Sequence, residues 1–370
     1  MTVQLPPLER ARSFCKAFDL RLPILMAPMA GACPSSLAIA VANAGGLGGC
    51  GALLMKPDAI RTWASEVRAQ TNGGFQINLW IPDPAPSRDP AHEAKVRDFL
   101  GTWGPAVPPE AGNVNLIDFA DQCEAMLEIG PATVSSIMGV YPPEVVARFK
   151  DKGIRWLANV TTVAEAREAV AAGADVIVAQ GMEAGGHRGS FDAERPDTAL
   201  IGLFALLPAV VDAVDGQVPV VATGGIADAR GIAAALVLGA SAVQIGTGLL
   251  RTPEAKLAPA WADAIAKAQP EDTAPTRAFS GRLGRSIATA YVKAANGPAA
   301  PRPAPYPVQR ALTQAMRDTG GQAGDINRMQ AWAGQAARLA SSEPAGDLLR
   351  RLWSETQGLL ASAGAGAQSG

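Results

Sequence analysis

Short apolar runs alternate with longer alanine-rich stretches between residues 22 and 245, and glycine punctuates most of the joins. The runs fall at 22–26, 46–51, 75–80, 133–137, 154–160, 175–179, 218–222 and 242–245. Stretches of helical length follow them at 34–44, 57–70, 116–129, 142–152, 163–172, 200–214 and 228–238. A strand that must cross over a helix before the next strand pairs in parallel. Run 175–179 is nearly all apolar, as a strand buried on both faces requires. Eight such units predict closure into a (β/α)8 barrel. The alternative is an open doubly wound sheet, and no GxGxxG follows the first run to support it.

Single barrels run to about 250 residues, so a 370-residue chain has room for one barrel and an appendage. The reading is residues 1–250 as the barrel, with an insertion at 82–112. Residues 251–370 form a mostly helical C-terminal extension packing on the barrel mouth. The insertion is proline-rich at 82–90 and 105–112 around a helix near 91–100, and it should cover one end of the fold. In the extension, helices are expected at 254–269, 309–317, 326–339 and 346–360. Segment 298–308 carries Pro298, Pro301, Pro303, Pro305 and Pro307 and should be extended. The end, 361–370, should fray.

Formal net charge is −2 and no Lys/Arg run occurs, which argues against a nucleic-acid partner. No stretch approaches the ~20 apolar residues of a membrane helix. Glu9, Arg10, Arg12, Lys16, Asp19 and Arg21 interrupt the N-terminal region, so a signal peptide is not expected and the cytoplasm is. Cys15, Cys33, Cys50 and Cys123 fit no zinc spacing; they read as reduced structural thiols, with no metal.

Two glycine loops follow the last two runs: Thr223-Gly224-Gly225-Ile226, and Gln244-Ile245-Gly246-Thr247-Gly248. Loops after strands seven and eight of such a barrel often bind phosphate. Glycines let backbone N–H groups approach oxygens, the next helix N-terminus adds its dipole, and Thr247 adds a hydroxyl. After the sixth run comes Gln180-Gly181-Met182-Glu183-Ala184-Gly185-Gly186-His187-Arg188-Gly189. Gly185 and Gly186 would bring backbone close to a flat ligand, and Gln180 offers amide donors and an acceptor. A histidine ordinarily titrates near neutrality, so His187 is the candidate to exchange protons with a substrate. His92, in the insertion, reads as an ordinary surface histidine. In 75–80 the alternation puts Gln76, Asn78 and Trp80 on one inward face. Asn78 there serves either a ligand or an internal hydrogen bond. The loop Ala27-Pro28-Met29-Ala30-Gly31 can lie against a ring, with Met29 as its wall. In Ser280-Gly281-Arg282-Leu283-Gly284-Arg285 the arginines suit either an anion or a salt-bridged loop.

Taken together, these residues resemble the nitronate monooxygenase family, formerly called 2-nitropropane dioxygenases. The likeness runs through APMAG at 27–31, GGLGG at 45–49, QINLW at 76–80, AQGMEAGGHRGSF at 179–191, the segment 222–247 and SGRLGR at 280–285. It implies FMN held without a covalent bond at the barrel mouth. The phosphate would lie against Gly225, Gly246 and Thr247, with Asn78, Gln180 and Gly185 near the ring or ribityl chain. Ala27, Pro28, Met29, Gly186, Gly224, Gln244 and Ile245 complete the implied cofactor set. His187 falls on the family's catalytic histidine, as base or as the residue that orients the nitronate. The implied reaction takes an alkyl nitronate and O2 to a carbonyl compound and nitrite. Propionate 3-nitronate is the family-level substrate, and Ser280 and Arg282 are the candidates to meet its carboxylate. The partners are therefore a small molecule and O2, with a homodimer left open. The departures are the 82–112 insertion and Gly284, where alanine is the expected residue. An FMN-dependent NAD(P)H enoyl-acyl-carrier-protein reductase, or a quinone reductase, is the alternative on the same barrel. A binder without catalysis is the third reading.

Overall fold

The computed structural model describes residues 5–365. Eight parallel strands curl into one nearly closed sheet. They are β1 (Ile24–Met26), β2 (Gly48–Gly51), β3 (Phe75–Trp80), β4 (Thr133–Ile137), β5 (Arg155–Val160), β6 (Val176–Gln180), β7 (Val220–Thr223) and β8 (Ala242–Ile245). β1 pairs with β8 in parallel, and a parallel bridge from Leu25 to Leu47 joins the other edge of β1 to the β2 side. With helices between successive strands, this is the (β/α)8 barrel that the alternation demands.

Period-two alternation sorts each strand's side chains into two layers. Outward residues such as Ile24, Met26, Ile77, Leu79, Ala158 and Ile177 join the helices in the main core. Inward residues Leu25, Leu157, Val176, Val178, Val221 and Ala242 form a separate cluster inside the barrel. Helix Pro7–Phe18, which the alternation did not announce, closes that cluster with Phe14 and Cys15. Arg10 ties it down by donating to the Ala240 carbonyl at 3.0 Å. The upper inward positions are polar, and they form the floor of the site.

The insertion after β3 folds as helix Pro90–Gly101, whose first amides, Ala91 and His92, donate to the Asp89 carboxylate at 3.0 Å. Val96 and Leu100 share a small core with Phe279, Tyr291, Val308, Leu312 and Met316. The insertion and the chain beyond β8 thus make one body. Helix Ala345–Ala365 instead returns to the outside of the barrel, against helices Ser35–Ala44 and Ala229–Val237. Leu348, Leu349 and Leu352 join the main core there, in the place of the eighth barrel helix.

The helix expected at 326–339 is corrected: only the single turn Ala337–Leu339 is helical. Tertiary pairing overrides alanine's propensity here. Trp332 bridges Ser286, the Ile287 amide donates to the Ala331 carbonyl at 2.9 Å, and the Gln335 amide to the Glu183 carbonyl at 2.9 Å. The sequence pattern also concealed a small antiparallel sheet. Strand Gly284–Ile287 pairs with Thr273–Thr276 on one side and with the two-residue strand Gly186–His187 on the other. Among the described residues no helix is long and apolar enough to cross a membrane.

Candidate active site

The C-terminal ends of the strands open on a cavity of about 350 Å³. Of the residues singled out from sequence, Ala27, Pro28, Met29, Asn78, Gln180, Gly185, Gly186, His187, Gly224, Gly225, Gln244, Gly246 and Thr247 line it. Ile245 does not; its side chain lies in the outer core, and its carbonyl accepts from the Ala27 amide at 2.9 Å, which seats the first loop. Ser280 and Arg282, expected to meet an anionic group of the substrate, do not line it either.

The floor is a polar layer. Gln76 is fully buried and donates to the Met26 carbonyl at 3.0 Å and to Gln244 Oε1 at 3.1 Å. Asn78 donates to Ser135 Oγ at 3.0 Å while still facing the cavity. Asn159, beside them on β5, has a buried amide nitrogen with no partner among the described residues. The alternation that found Asn78 would have found Asn159 too.

One end is backbone. Gly224 has φ +109°, which side chains rarely adopt, and a Cβ there would sit 3.1 Å from the Gly181 carbonyl oxygen. Gly225 has φ +68°. The next helix starts at Ala229, and its Gly231 amide already donates to the Asp228 carboxylate at 3.1 Å. The loop glycines, not that helix's first turn, therefore face the cavity. Thr247 Oγ1 accepts from the Gly334 amide at 3.0 Å, joining this end to the extension.

The other end is side chains. Pairing with Gly284 holds His187, and Gln180 donates to its carbonyl at 3.1 Å while accepting from the Gly189 amide at 2.8 Å. Much of Gln180's hydrogen-bonding capacity thus goes to the loop rather than to a ligand. Arg188 clamps the same loop, donating to the carbonyls of Gln180 at 2.6 Å and Ala199 at 2.9 Å. The imidazole lies between Trp80, at 4.9 Å and 66°, and Trp332, at 5.0 Å and 58°. Its Nε2 is 2.7 Å from Ser280 Oγ. Burial pushes its pKa down to about 3, and the Arg282 and Arg310 guanidinium groups push the same way. At neutral pH the ring is uncharged. Arg282 lies behind Trp80, paired with Asp83 at 3.1 Å and donating to the Ser190 carbonyl at 2.7 Å.

Two other arginines face the cavity, Arg310 and Arg317, on helices Val308–Leu312 and Gln314–Ala323. Burial lowers both, Arg317 to about 10. Among the described residues neither is in a salt bridge. Arg317 is aimed by Gln330 Oε1 at 3.1 Å and Gln314 Oε1 at 2.7 Å. The sequence held no motif for Arg310, Arg317, Gln330 or Trp332, because the fold of the extension alone brings them to the barrel.

The family model described as nitronate monooxygenase matches residues 12–355. The chain belongs to the nitronate monooxygenase family. A nitronate monooxygenase of Paraburkholderia phytofirmans is 40% identical over 347 residues, covering 92% of this chain and 94% of that one. Among solved structures, the nitroalkane oxidase of Streptomyces ansochromogenes matches with a TM-score of 0.84 at 36% identity, over 93% of this chain and 99% of the other. FabK from Thermotoga maritima matches at 0.73 and 28%, over 95% and 97%. Like other nitronate monooxygenase-family proteins, this one is a flavin-dependent oxidoreductase.

Proposed function

We propose that the protein oxidises alkyl nitronates with O2 to a carbonyl compound and nitrite, with FMN in the cavity. The observation that carries this reading is that glycine loops of phosphate-binding type and a neutral histidine open on the same cavity. The residues fit the cofactor. Gly224 and Gly225, both at positive φ and packed against the 181–184 loop, line the cavity beside Gly246 and Thr247, where a phosphate would meet backbone. The unpartnered Asn159 amide is a buried donor awaiting an acceptor, as a ring carbonyl would be. The ring would lie along Ala27, Pro28 and Met29, near Asn78, Gly185 and Gly186. Bound there, FMN would supply the electron transfer between nitronate and O2.

His187 takes the α-proton of a neutral nitroalkane, or holds a nitronate already formed by a hydrogen bond. The cations that lower its basicity favour the anion that proton loss creates. Arg310 and Arg317 are the groups for a substrate carboxylate, in the role first assigned to Ser280 and Arg282. Trp80 and Trp332 keep water from the imidazole faces.

The test is nitrite release from flavin-loaded protein given alkyl nitronate in air, with oxygen uptake followed and NAD(P)H absent. Nitrite formed with oxygen consumption is the expected result. A flavin-loaded protein that yields none, but whose flavin bleaches anaerobically with NADPH, is a reductase.

A further inference from the structure

Ser280 is fully buried and outside the cavity lining, yet its hydroxyl lies 2.7 Å from the imidazole Nε2 of His187. A serine hydroxyl has a single proton to donate and lone pairs to accept with. Two acceptors compete for that proton: His187 Nε2 at 2.7 Å and the Arg282 carbonyl at 3.3 Å. Arg282 is 2% exposed, and among the described residues no donor other than Ser280 reaches its carbonyl. A buried carbonyl left without a donor is costly. With the proton donated to the Arg282 carbonyl, Ser280 Oγ would be the acceptor and His187 Nε2 would carry a hydrogen.

The surroundings prevent the ring from exchanging its nitrogens. Trp80 and Trp332 flank it, and the strand pairing with Gly284 holds its backbone. Ser280 is fixed in turn. Gly281 has φ +88°, a Cβ there would collide with the Ala304 carbonyl, and its amide donates to the Arg277 carbonyl at 2.8 Å.

We propose that Ser280 is a positioning residue that holds His187 in the Nε2–H tautomer and leaves the Nδ1 lone pair to meet the substrate. Its kinetic consequence rests on His187 being the base of the function proposed above. The α-proton moves to Nδ1, the C–H electron pair stays on the substrate as nitronate, and the imidazolium so formed keeps its Nε2–H on Ser280. The charged groups acting on the ring are Arg282 and Arg310.

The experiment uses flavin-loaded protein labelled with ¹⁵N-histidine. The chain has two histidines, so His92→Gln assigns the spectrum. The expected result is a protonated Nε2 and a bare Nδ1 in the parent, with the tautomer mixed in Ser280→Ala and restored in Ser280→Thr. Turnover of neutral nitroalkane should fall roughly 10- to 100-fold in Ser280→Ala, at the low end of general-base contributions. KM and turnover of pre-formed nitronate should change little, and threonine should recover most of the loss. A protonated Nδ1 in the parent overturns the proposal, as does an unchanged tautomer in Ser280→Ala. Parent protein inactive on every nitronate overturns the monooxygenase reading instead, and the spectrum still decides the tautomer.

Discussion

The two ends of the cavity are built from different materials. At the β7–β8 end the wall is backbone at Gly224, Gly225 and Gly246, with Thr247 beside them. At the opposite end they are side chains: His187, Trp80, Trp332, Arg310 and Arg317. Backbone amides next to the strands suit a constant group such as a phosphate, because their positions follow from the barrel itself. Trp332, Arg310 and Arg317, carried on the added segment, can change while the barrel does not. On the proposed function, the first end would hold the cofactor and the second would carry the chemistry and substrate choice.

The sharpest break in that division comes from His187→Asn. Turnover of a neutral nitroalkane should fall about 10²–10⁴-fold, with flavin content unchanged and a much smaller loss on pre-formed nitronate. Equal losses on both substrates would remove the base role and leave orientation alone.

Arg310→Ala and Arg317→Ala come next. Each should raise KM for a carboxylated nitronate by roughly 10- to 100-fold, the value of one charge-assisted hydrogen bond. A nitronate with an apolar tail should be nearly unaffected. If both substrates weaken equally, the arginines serve the fold of the extension and not the ligand.

Gly224→Ala probes the backbone end. A side chain forced to φ +109° is strained. About tenfold weaker FMN retention is expected in fluorescence titration, with turnover at saturating FMN preserved. A change in turnover with normal retention would contradict the assignment of the two ends.

The smallest effect is on pH dependence. The imidazole is held near 3 in the folded protein, while an unfolded histidine titrates at about 6.5. As pH falls below the unfolded value, the unfolded chain binds a proton that the folded one refuses. This contribution to stability is therefore complete at neutral pH and declines on acidification toward the folded value. His187→Gln should lose less stability than the parent between neutral and acid pH, read as the shift in urea midpoint. The acid limb of kcat/KM should also lie well below the ordinary histidine range. A limb in that range would show that bound FMN restores the ring's basicity.

Much of the barrel was legible because its signals are local. Each buried strand is a short apolar run, and each tight strand-to-helix turn needs glycine. Inward alternation placed Gln76, Asn78 and Trp80 on the cavity side, and the glycine loops marked one end of the site. For Arg282 the pattern SGRLGR left an anion site and a salt-bridged loop open, and only the fold chose between them: its guanidinium is buried against Asp83 and the Ser190 carbonyl. Segment 326–339 misled because alanine-rich composition reads as helix, whereas pairing with strand Gly284–Ile287 decides the conformation.

The sequence by itself determined the barrel, the glycine loops and the histidine above the sixth strand, since periodicity and backbone freedom belong to neighbouring residues. Tertiary structure alone decided the partners of that histidine. Ser280 lies 93 positions from His187, and Trp332 and Arg310 lie further still. Contacts across such separations leave no local pattern, because they exist only once the extension has folded back over the strand ends.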